Sequence, residues 1–423
     1  MSSTKLNIKN ISYLFNQNIF RLIISLFVGA WVARHLGVDN YGKFNFILSF
    51  YFLYKPLMTF GLDEVILSEI AKGKHSDREI LGTTFIFRFI IFFLFYLLII
   101  PSLLGLNVQK DVMYLTFLIT SAFITIPFSN TEMYLNAKHN IKDQAKSRSL
   151  LFFILALLKV LFIYLNLDLL YFVIISTAEI IIMTLISYLL FIKSYKNLHF
   201  SEWKFNKVLL KLLLKQSLPV MISLIVFRGM AKIDQIYIAK YSTMNQLGLY
   251  SAASKLLDSW QFLPSIISTI YLSKMAKDRD SIKEYFCLLN IGSIGLSVGC
   301  YIFGDLIISL FYGEQYSQAT KFLKLYSLQF IFVFYALGRI NYFLTKSANI
   351  LNLILATSIL VLNLVFNYIF IHRLGTIGVI YASILSNILG LIIFSIFNKE
   401  IRDLNIEYLV SVFTLKKIII KLI

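Results

Sequence analysis

The sequence predicts an all-α integral membrane protein with about 12 transmembrane helices, arranged as two parallel, pseudo-symmetric lobes of six. Hydrophobic residues make up 58% of the chain and charged residues only 15%, whereas a soluble domain is about half apolar and a quarter charged. The turn at Ala33 to Phe46, reading ARHLGVDNYGKFNF, reappears from Ala239 onward, so that Gly42 matches Gly248 at an offset of 206 residues. Parallel repeats of this kind are a known transporter plan.

Twelve segments are long enough to span a bilayer, which requires about 20 mostly apolar residues. Their approximate limits are 11–33, 44–64, 80–101, 112–136, 148–165, 169–192, 212–239, 247–273, 284–310, 322–344, 350–371 and 376–397. Five lysines between 193 and 211 mark the expected inter-lobe linker. The predicted organisation is therefore an N-terminal lobe (1–193), a basic cytoplasmic linker (194–211), a C-terminal lobe (212–397) and a tail (398–423).

That tail alternates lysines with apolar residues near its end, at Lys416, Lys417 and Lys421. This pattern favours a helix that lies in the headgroup region over a thirteenth span. At the other end, the first apolar run is too long for the core of a signal peptide, and we expect it to be retained as a span.

The distribution of basic residues predicts the orientation. Of the 40 lysines and arginines, 24 fall in the termini and even-numbered loops and only seven in the odd-numbered loops. The positive-inside rule then places both termini in the cytoplasm. The odd-numbered loops are also short, which leaves little room for an extracytoplasmic catalytic domain, so no enzyme activity is expected.

Other site classes have weak support. The net charge of +18 would suit nucleic acid, but the basic residues are dispersed between apolar runs and form no single face. Gly37 to Lys43 matches the start of a phosphate-binding loop, but Phe44 stands where Ser or Thr is required. The histidines and the two cysteines show no ligand spacing. The sequence thus predicts no metal, no cofactor and no catalytic residue.

Charge inside the spans is the informative signal. Nine basic residues fall at membrane depth, where each costs about 2.5–3.5 kcal/mol and normally faces a bundle interior or a wet cavity. They are Arg21, Lys55, Arg88, Lys159, Lys215, Arg228, Lys232, Lys255 and Arg339. Counted from the predicted turns near residues 38 and 72, three of them lie at about one depth without an accompanying acid. Arg21, Lys55 and Arg88 therefore predict a site for an anion. The predicted substrate-binding set also includes Arg228, Lys232 and Lys255 of the second lobe.

In the second lobe, an acidic residue partly neutralises the basic residues at membrane depth. Around residue 243, Arg228 and Asp258 are each 15 residues away, and Lys232 and Lys255 are 11 and 12 away. Asp258 can therefore pair with Arg228 across the hairpin or with Lys255 one turn earlier. If an anionic ligand competed for Arg228, Asp258 would lose its counter-charge and take up a proton. A fixed pair with Lys255 is the alternative.

Two further acidic residues complete the candidates for ion-pair coupling. Glu179 lies close enough in predicted depth to reach Lys159. That contact would be either a structural ion pair or part of the transport path. Asp234 stands at the start of the Asp234 to Ala253 block, and it is the second acidic candidate in the C-terminal lobe.

Several segments resemble the Wzx-type O-antigen and polysaccharide flippases of the multidrug/oligosaccharidyl-lipid/polysaccharide exporter superfamily. They are the ARxLGxxxYGxxNF turn at Ala33 to Phe46, Gly61 to Asp63, Glu69 to Lys72, and Asp234 to Ala253 followed by Pro264. The resemblance implies a pair of six-helix lobes that moves an undecaprenyl-diphosphate-linked oligosaccharide from the cytoplasmic to the periplasmic leaflet by alternating access.

The resemblance also implies a bacterial inner membrane location, contact with membrane lipids, and polymerase and chain-length proteins of the same pathway as partners. A diphosphate cargo agrees with the cationic spans, because arginine binds its oxygens through paired, charge-assisted hydrogen bonds. The alternatives are a cation-coupled multidrug-type exporter of the same superfamily, whose cargo would favour acidic residues in the first lobe, and a membrane-embedded glycan polymerase.

Overall fold

The computed structural model describes residues 2–138, 141–275, 280–346 and 349–411, and the side chains of 2–23, 141–142, 270, 272–273, 280 and 349 are not described. All regular structure in these ranges is helical. The first nine helices are α1 (Ser2–Thr59), α2 (Leu62–Lys72), α3 (Asp77–Leu97), α4 (Ile99–Leu106), α5 (Lys110–Thr120), α6 (Asn130–Ala137), α7 (Ile141–Tyr164), α8 (Leu169–Ser194) and α9 (Lys207–Tyr241).

The remaining helices are α10 (Met244–Ser259), α11 (Phe262–Met275), α12 (Asp280–Tyr312), α13 (Ala319–Tyr326), α14 (Gln329–Thr345), α15 (Asn349–Leu374), α16 (Thr376–Phe397) and α17 (Lys399–Ser411). Within the described ranges, eight helices or continuous helix pairs are long and apolar enough to cross a membrane. A ninth span results if α13 and α14, which meet at an angle of 42°, count as one. These nine coincide with nine of the 12 predicted segments, and the all-α membrane fold is confirmed.

The other three predicted segments are not among the helices that meet this criterion within the described residues, and the first of the three, 11–33, includes residues whose side chains are not described. Two of them lie in α1 and α2, and the third lies in α10 and α11. The last is interrupted at Trp260 and Gln261, which leaves helices of 16 and 14 residues. The number 12 therefore stays a prediction.

The chain forms two compact units. The first comprises Met1–Leu36 and Lys43–Lys232, and the second comprises Gly37–Gly42 and Ile233–Ile423. The boundary defined by packing thus falls inside α9, after the predicted basic linker. The predicted linker at 194–211 depends on the five lysines between the sixth and seventh segments, and it stays a prediction.

In the first unit, the linker residues are fixed to the start of α3. The backbone N–H of Lys204 donates to the carbonyl of Arg78 at 3.1 Å, and the backbone N–H of Asn206 donates to Thr83 Oγ1 at 2.9 Å. A Cβ atom at Gly82 would lie 2.5 Å from the Lys204 nitrogen. Because this approach requires glycine, the linker and α3 pack backbone to backbone.

A second set of contacts fixes the end of α2, beyond the predicted second span. The buried carboxylate of Glu69 accepts a hydrogen bond from Lys72 Nζ at 2.8 Å and another from Gln216 Nε2 at 3.3 Å. Gln216 belongs to α9, so this carboxylate ties two helices of the unit together. Two hydrogen-bond donors, one of them charged, offset the cost of burying the acid.

The second unit contains the repeated turn found in the sequence. A Cβ atom at Gly42 would lie 1.8 Å from the Met244 carbonyl oxygen, and one at Gly248 would lie 2.0 Å from the Val38 carbonyl oxygen. Val38 matches Met244 at the same offset of 206 residues that relates the two glycines. The two copies of the turn therefore pack on each other reciprocally, and only glycine permits this distance.

Helix α17 packs against α12 and α16. Its residues Ile401, Leu404, Tyr408 and Ser411 are buried, and Asn290 Nδ2 of α12 donates to the Tyr408 carbonyl at 2.6 Å. The first half of the predicted tail is thus a helix docked on the bundle. The lysines at 416, 417 and 421 lie outside the described residues.

Candidate functional site

Arg228 and Lys55 form the cationic part of the candidate site, and both belong to the first unit. The guanidinium carbon of Arg228 lies 5.8 Å from the ring centroid of Phe52, within cation–π range. Lys55 follows Phe52 by three residues, on the same helical face of α1. Both cations are half-buried, and within the described residues neither has a carboxylate partner. The sequence predicted both residues but did not predict that α9 brings Arg228 beside Phe52.

Arg88 requires a correction, because its predicted lack of a counter-charge is wrong. Its side chain is fully buried, and Nη2 donates to Asp63 Oδ1 at 2.5 Å. Nη1 donates to Ser129 Oγ at 2.8 Å and to Asn130 Oδ1 at 2.6 Å. With three hydrogen bonds to its own unit, Arg88 clamps α2 and α6 to α3.

The error came from the counting of depth. Positive φ angles at Phe60 (52°) and Gly61 (63°) end α1 and start α2 at Leu62. The following turn lies at residues 73–76, beyond the assumed centre at 72. Counted from that turn, Asp63 and Arg88 are at nearly equal depth. Asp63 also lies in the first turn of α2, where the helix dipole favours a carboxylate.

The other predicted cations are less informative. The Arg21 side chain lies outside the described residues. Lys232 ends the first unit, whereas Lys255 and Asp258 belong to the second unit, and all three are half-buried. Asp258 Oδ1 accepts a hydrogen bond from Gln261 Nε2 at 3.1 Å. Its pairing with Arg228 or Lys255, and with it the proposed switch, stays a prediction.

Lys159 and Glu179 form the ion pair expected as one of two possibilities. Lys159 Nζ lies 3.1 Å from Glu179 Oε2, and the two side chains are 21% and 17% exposed. A second pair in the same unit was not predicted: Arg148 Nη2 contacts Glu132 Oε2 at 2.5 Å and donates to Ser187 Oγ at 3.2 Å. Arg148 is the first residue of the fifth predicted segment and is not among the nine basic residues predicted at membrane depth.

Asp234 in the second unit has neutral partners. Its Oδ1 accepts from Asn367 Nδ2 at 2.8 Å, and its Oδ2 accepts from Ser383 Oγ at 2.7 Å and Tyr250 OH at 3.0 Å. Asn363 donates to the same serine at 3.0 Å. The carboxylate is 4% exposed, and no cation pairs with it among the described residues. Asp234 is therefore a buried acid in a network of neutral donors, and its role in coupling stays a prediction.

This network could have been suspected from the sequence. Asn363 and Asn367 are separated by four residues in an otherwise apolar run, so they share one helical face. Polar residues within a span normally face the bundle interior. The described residues contain no cluster of three or more His, Cys, Asp or Glu side chains that could hold a metal ion.

Chemically, the two units offer different sites. The Arg228 and Lys55 pair presents positive charge beside an aromatic face, which suits a phosphate-bearing ligand. Asp234 presents a buried negative charge whose burial cost falls when it gains a proton or a small cation. Arg88, Lys159 and Arg148 are held by carboxylates, and they stabilise the bundle.

Comparison with known proteins also indicates a membrane transporter of the polysaccharide biosynthesis type. The sequence pattern of a family described as "Polysaccharide biosynthesis protein" matches residues 8–273. A search of curated proteins finds no match. Among solved structures, lipid II flippase MurJ in an inward closed conformation matches with a TM-score of 0.73 and 19% identity, over 96% of this chain and 92% of that chain.

Two other transporters share the fold. An inward-facing multidrug resistance MATE family transporter of the MOP superfamily matches with a TM-score of 0.65 and 16% identity, over 91% of this chain and 95% of that one. A MOP superfamily transporter from Pyrococcus furiosus matches with a TM-score of 0.57 and 16% identity, over 94% of this chain and 96% of that one. At such identities the likeness concerns the fold, whereas the family pattern covers more than half of the sequence. This chain is a multi-pass membrane protein of the polysaccharide biosynthesis protein family with the MOP transporter fold.

Proposed function

We propose that the protein is a flippase that moves an undecaprenyl-diphosphate-linked oligosaccharide, such as an O-antigen repeat unit, from the cytoplasmic to the periplasmic leaflet of the bacterial inner membrane. The observation that supports this proposal is the position of Arg228 and Lys55 around Phe52. Two half-buried cations that have no carboxylate partner in the described part of the chain are costly in a membrane unless they serve a ligand. An anionic headgroup supplies the missing charge.

The two cations have complementary roles in this proposal. Arg228 offers a planar set of donors that can bind two phosphate oxygens at once, and Phe52 holds the guanidinium plane by a cation–π contact. Lys55 adds a second positive charge on the same face of α1. Each charge-assisted hydrogen bond contributes about 1.5–3 kcal/mol, so the loss of one cation should weaken diphosphate binding roughly tenfold or more.

Asp234 is the coupling group of the proposed cycle. A buried carboxylate among neutral donors changes its charge when a proton or a small cation enters. Its donors come from α10, α15 and α16, so a change of charge would alter how those three helices pack. A transport cycle needs two conformations that differ in their interactions with a ligand or ion, and the charge of Asp234 would provide this difference. Asn at this position should retain the fold but slow export.

The first test is glycan display in cells. Arg228→Ala and Lys55→Ala should each abolish surface glycan at normal protein abundance, because both cations are needed for the diphosphate. Lys110→Ala is the control, because Lys110 is an exposed lysine of the same unit. Normal display in the Arg228→Ala/Lys55→Ala double variant would reject the proposal.

The second test measures binding directly. The purified protein is titrated with a short-chain isoprenyl diphosphate and with the matching monophosphate. The wild type should prefer the diphosphate, and Arg228→Lys should lose most of this preference, because lysine cannot form the bidentate contact. Equal affinity of the wild type for both compounds would contradict a diphosphate site.

A further inference from the structure

A cavity of about 550 Å³ lies in the second unit between α14, α16 and α17. Its walls are mainly apolar, with Ile331, Leu391 and Ile396 among the lining residues. Ile396 is 68% exposed and the lining residue Ile392 is 51% exposed, so the wall formed by α16 is continuous with the surface that faces lipid. The volume of the cavity lies within the range of about 300–1,000 Å³ that is typical of small-molecule pockets.

Hydrogen bonds join the three helices that line the cavity and tie α17 to α12. Tyr335 OH of α14 donates to Asn405 Oδ1 of α17, and Asn405 Nδ2 donates to Ser395 Oγ of α16 at 2.7 Å. Asn290 Nδ2 of α12 donates to the Tyr408 carbonyl at 2.6 Å and to Ser411 Oγ at 2.9 Å. Because these polar groups satisfy one another, they fix the shape of the cavity.

Arg402 is the only charged residue among the described residues that line this cavity. Its side chain is 49% exposed, and the closest carboxylate contact is weak, with Arg402 Nε 4.0 Å from Asp403 Oδ1. The helical period places Arg402 and Leu409 on the cavity side of α17 and the three acidic residues of that helix on the opposite side. Those acidic residues are Glu400, Asp403 and Glu407.

We propose that this cavity binds one anionic glycerophospholipid of the membrane, with its phosphate on Arg402 and an acyl chain along Ile331, Leu391 and Ile396. The charge at the mouth fits the anionic headgroup, and the apolar walls fit the chain. Arg402 follows the end of α16 by five residues, which is headgroup level if α16 spans the bilayer. The site lies within the second unit and does not depend on the diphosphate site of the first unit.

The headgroup contact is tested by native mass spectrometry of the full chain in detergent. The protein is titrated with phosphatidylglycerol and, separately, with phosphatidylethanolamine. We expect a higher affinity for phosphatidylglycerol and a loss of about tenfold in Arg402→Gln. Lys399→Gln is the matched control, because it removes a positive charge three residues away on the same helix. Equal losses in both variants would overturn the proposal in favour of non-specific attraction.

The acyl-chain contact is tested with two adjacent isoleucines of α16. Ile392→Trp fills the cavity and should reduce the binding of both lipids, whereas Ile393→Trp should not, because Ile393 is 39% exposed but does not line the cavity. Unchanged binding in Ile392→Trp would overturn the proposal. Tighter lipid binding after deletion of residues 412–423 would also overturn it, because the chain's own tail would then be the occupant.

Discussion

Removal of the Arg88 side chain should destabilise the first unit strongly. The guanidinium is fully buried and makes three hydrogen bonds, one of them to the Asp63 carboxylate. Breaking a buried ion pair by the loss of one partner costs about 3–5 kcal/mol, because the other charge is left uncompensated. Asp63 is 28% exposed, which favours the lower half of this range. We therefore expect Arg88→Ala to reduce the free energy of unfolding by about 3–4 kcal/mol.

The assay is unfolding of the purified protein by sodium dodecyl sulfate in mixed micelles, followed by the fluorescence of Trp203. This tryptophan lies in the same unit, with its ring centroid 5.6 Å from that of Phe85 in α3. Trp31 and Trp260 are replaced by phenylalanine in the background protein, so that the signal reports on the first unit alone.

Arg78→Ala is the matched control, since Arg78 is also an arginine of α3 with a carboxylate partner. Its Nη2 lies 3.1 Å from Glu202 Oε2, but the two side chains are 44% and 36% exposed. An exposed pair contributes only about 0–1 kcal/mol. If Arg88→Ala and Arg78→Ala reduced the free energy of unfolding by the same amount, the assignment of Arg88 as a buried clamp would be wrong.

Three further predictions concern packing, pH and orientation. Gly42→Ala should destabilise the second unit in thermal unfolding, because the new Cβ would overlap the Met244 carbonyl oxygen. Gly299→Ala is the control: its Cβ would meet open space, so this variant should be neutral or stabilised by up to about 1 kcal/mol. Burial raises the pKa of Glu69, but hydrogen bonds from its lysine and glutamine partners outweigh this effect and lower the pKa below the ordinary 4.5. The ionised carboxylate therefore stabilises the fold above about pH 4.5, and this contribution is lost as the pH falls through the lowered pKa. Glu69→Gln should remove this contribution, so that unfolding of the variant depends less on pH in the acid range. A cysteine at Asp39 should react with an impermeant reagent in intact spheroplasts and one at Asp77 should not; the reverse would overturn the predicted orientation.

The helical segments were predictable from the sequence because a bilayer leaves the backbone few choices. Each polar backbone group inside lipid must be paired within its own helix, so a long apolar run implies a span. Nine of the 12 predicted segments coincide with helices that meet the length and hydropathy criterion. The family was recognisable because the turn at 33–46 and its repeat carry specific glycines, and Gly42 and Gly248 are the positions where two backbones touch.

The arrangement of the charges was less predictable, since depth counting assumes straight helices and neighbouring segments. The pair of Asp63 with Arg88 depends on a break at Phe60, which has a positive φ although it is not glycine. The contact of Arg228 with Phe52 joins residues far apart in the chain. Pairwise counting from one turn compares only adjacent helices, so it could not find this contact.

The broken helices explain how charged groups are tolerated inside the bundle. In the first unit, Asp63 follows the break at Phe60 and Gly61. Two partners of Arg88 stand where the 3₁₀ segment Ser121–Ser129 ends at Ser129 and α6 begins at Asn130. In the second unit, Asp258 precedes the break at Trp260 and Gln261, and the side chain of Gln261 donates to it. A helix end exposes unpaired backbone groups and a partial charge, so a polar side chain there is partly compensated. Breaks also concentrate bending, because a 3₁₀ segment inside a helix often marks a hinge. Charged side chains therefore stand next to a helix break in each unit, where the free backbone groups of the helix ends partly compensate for their burial.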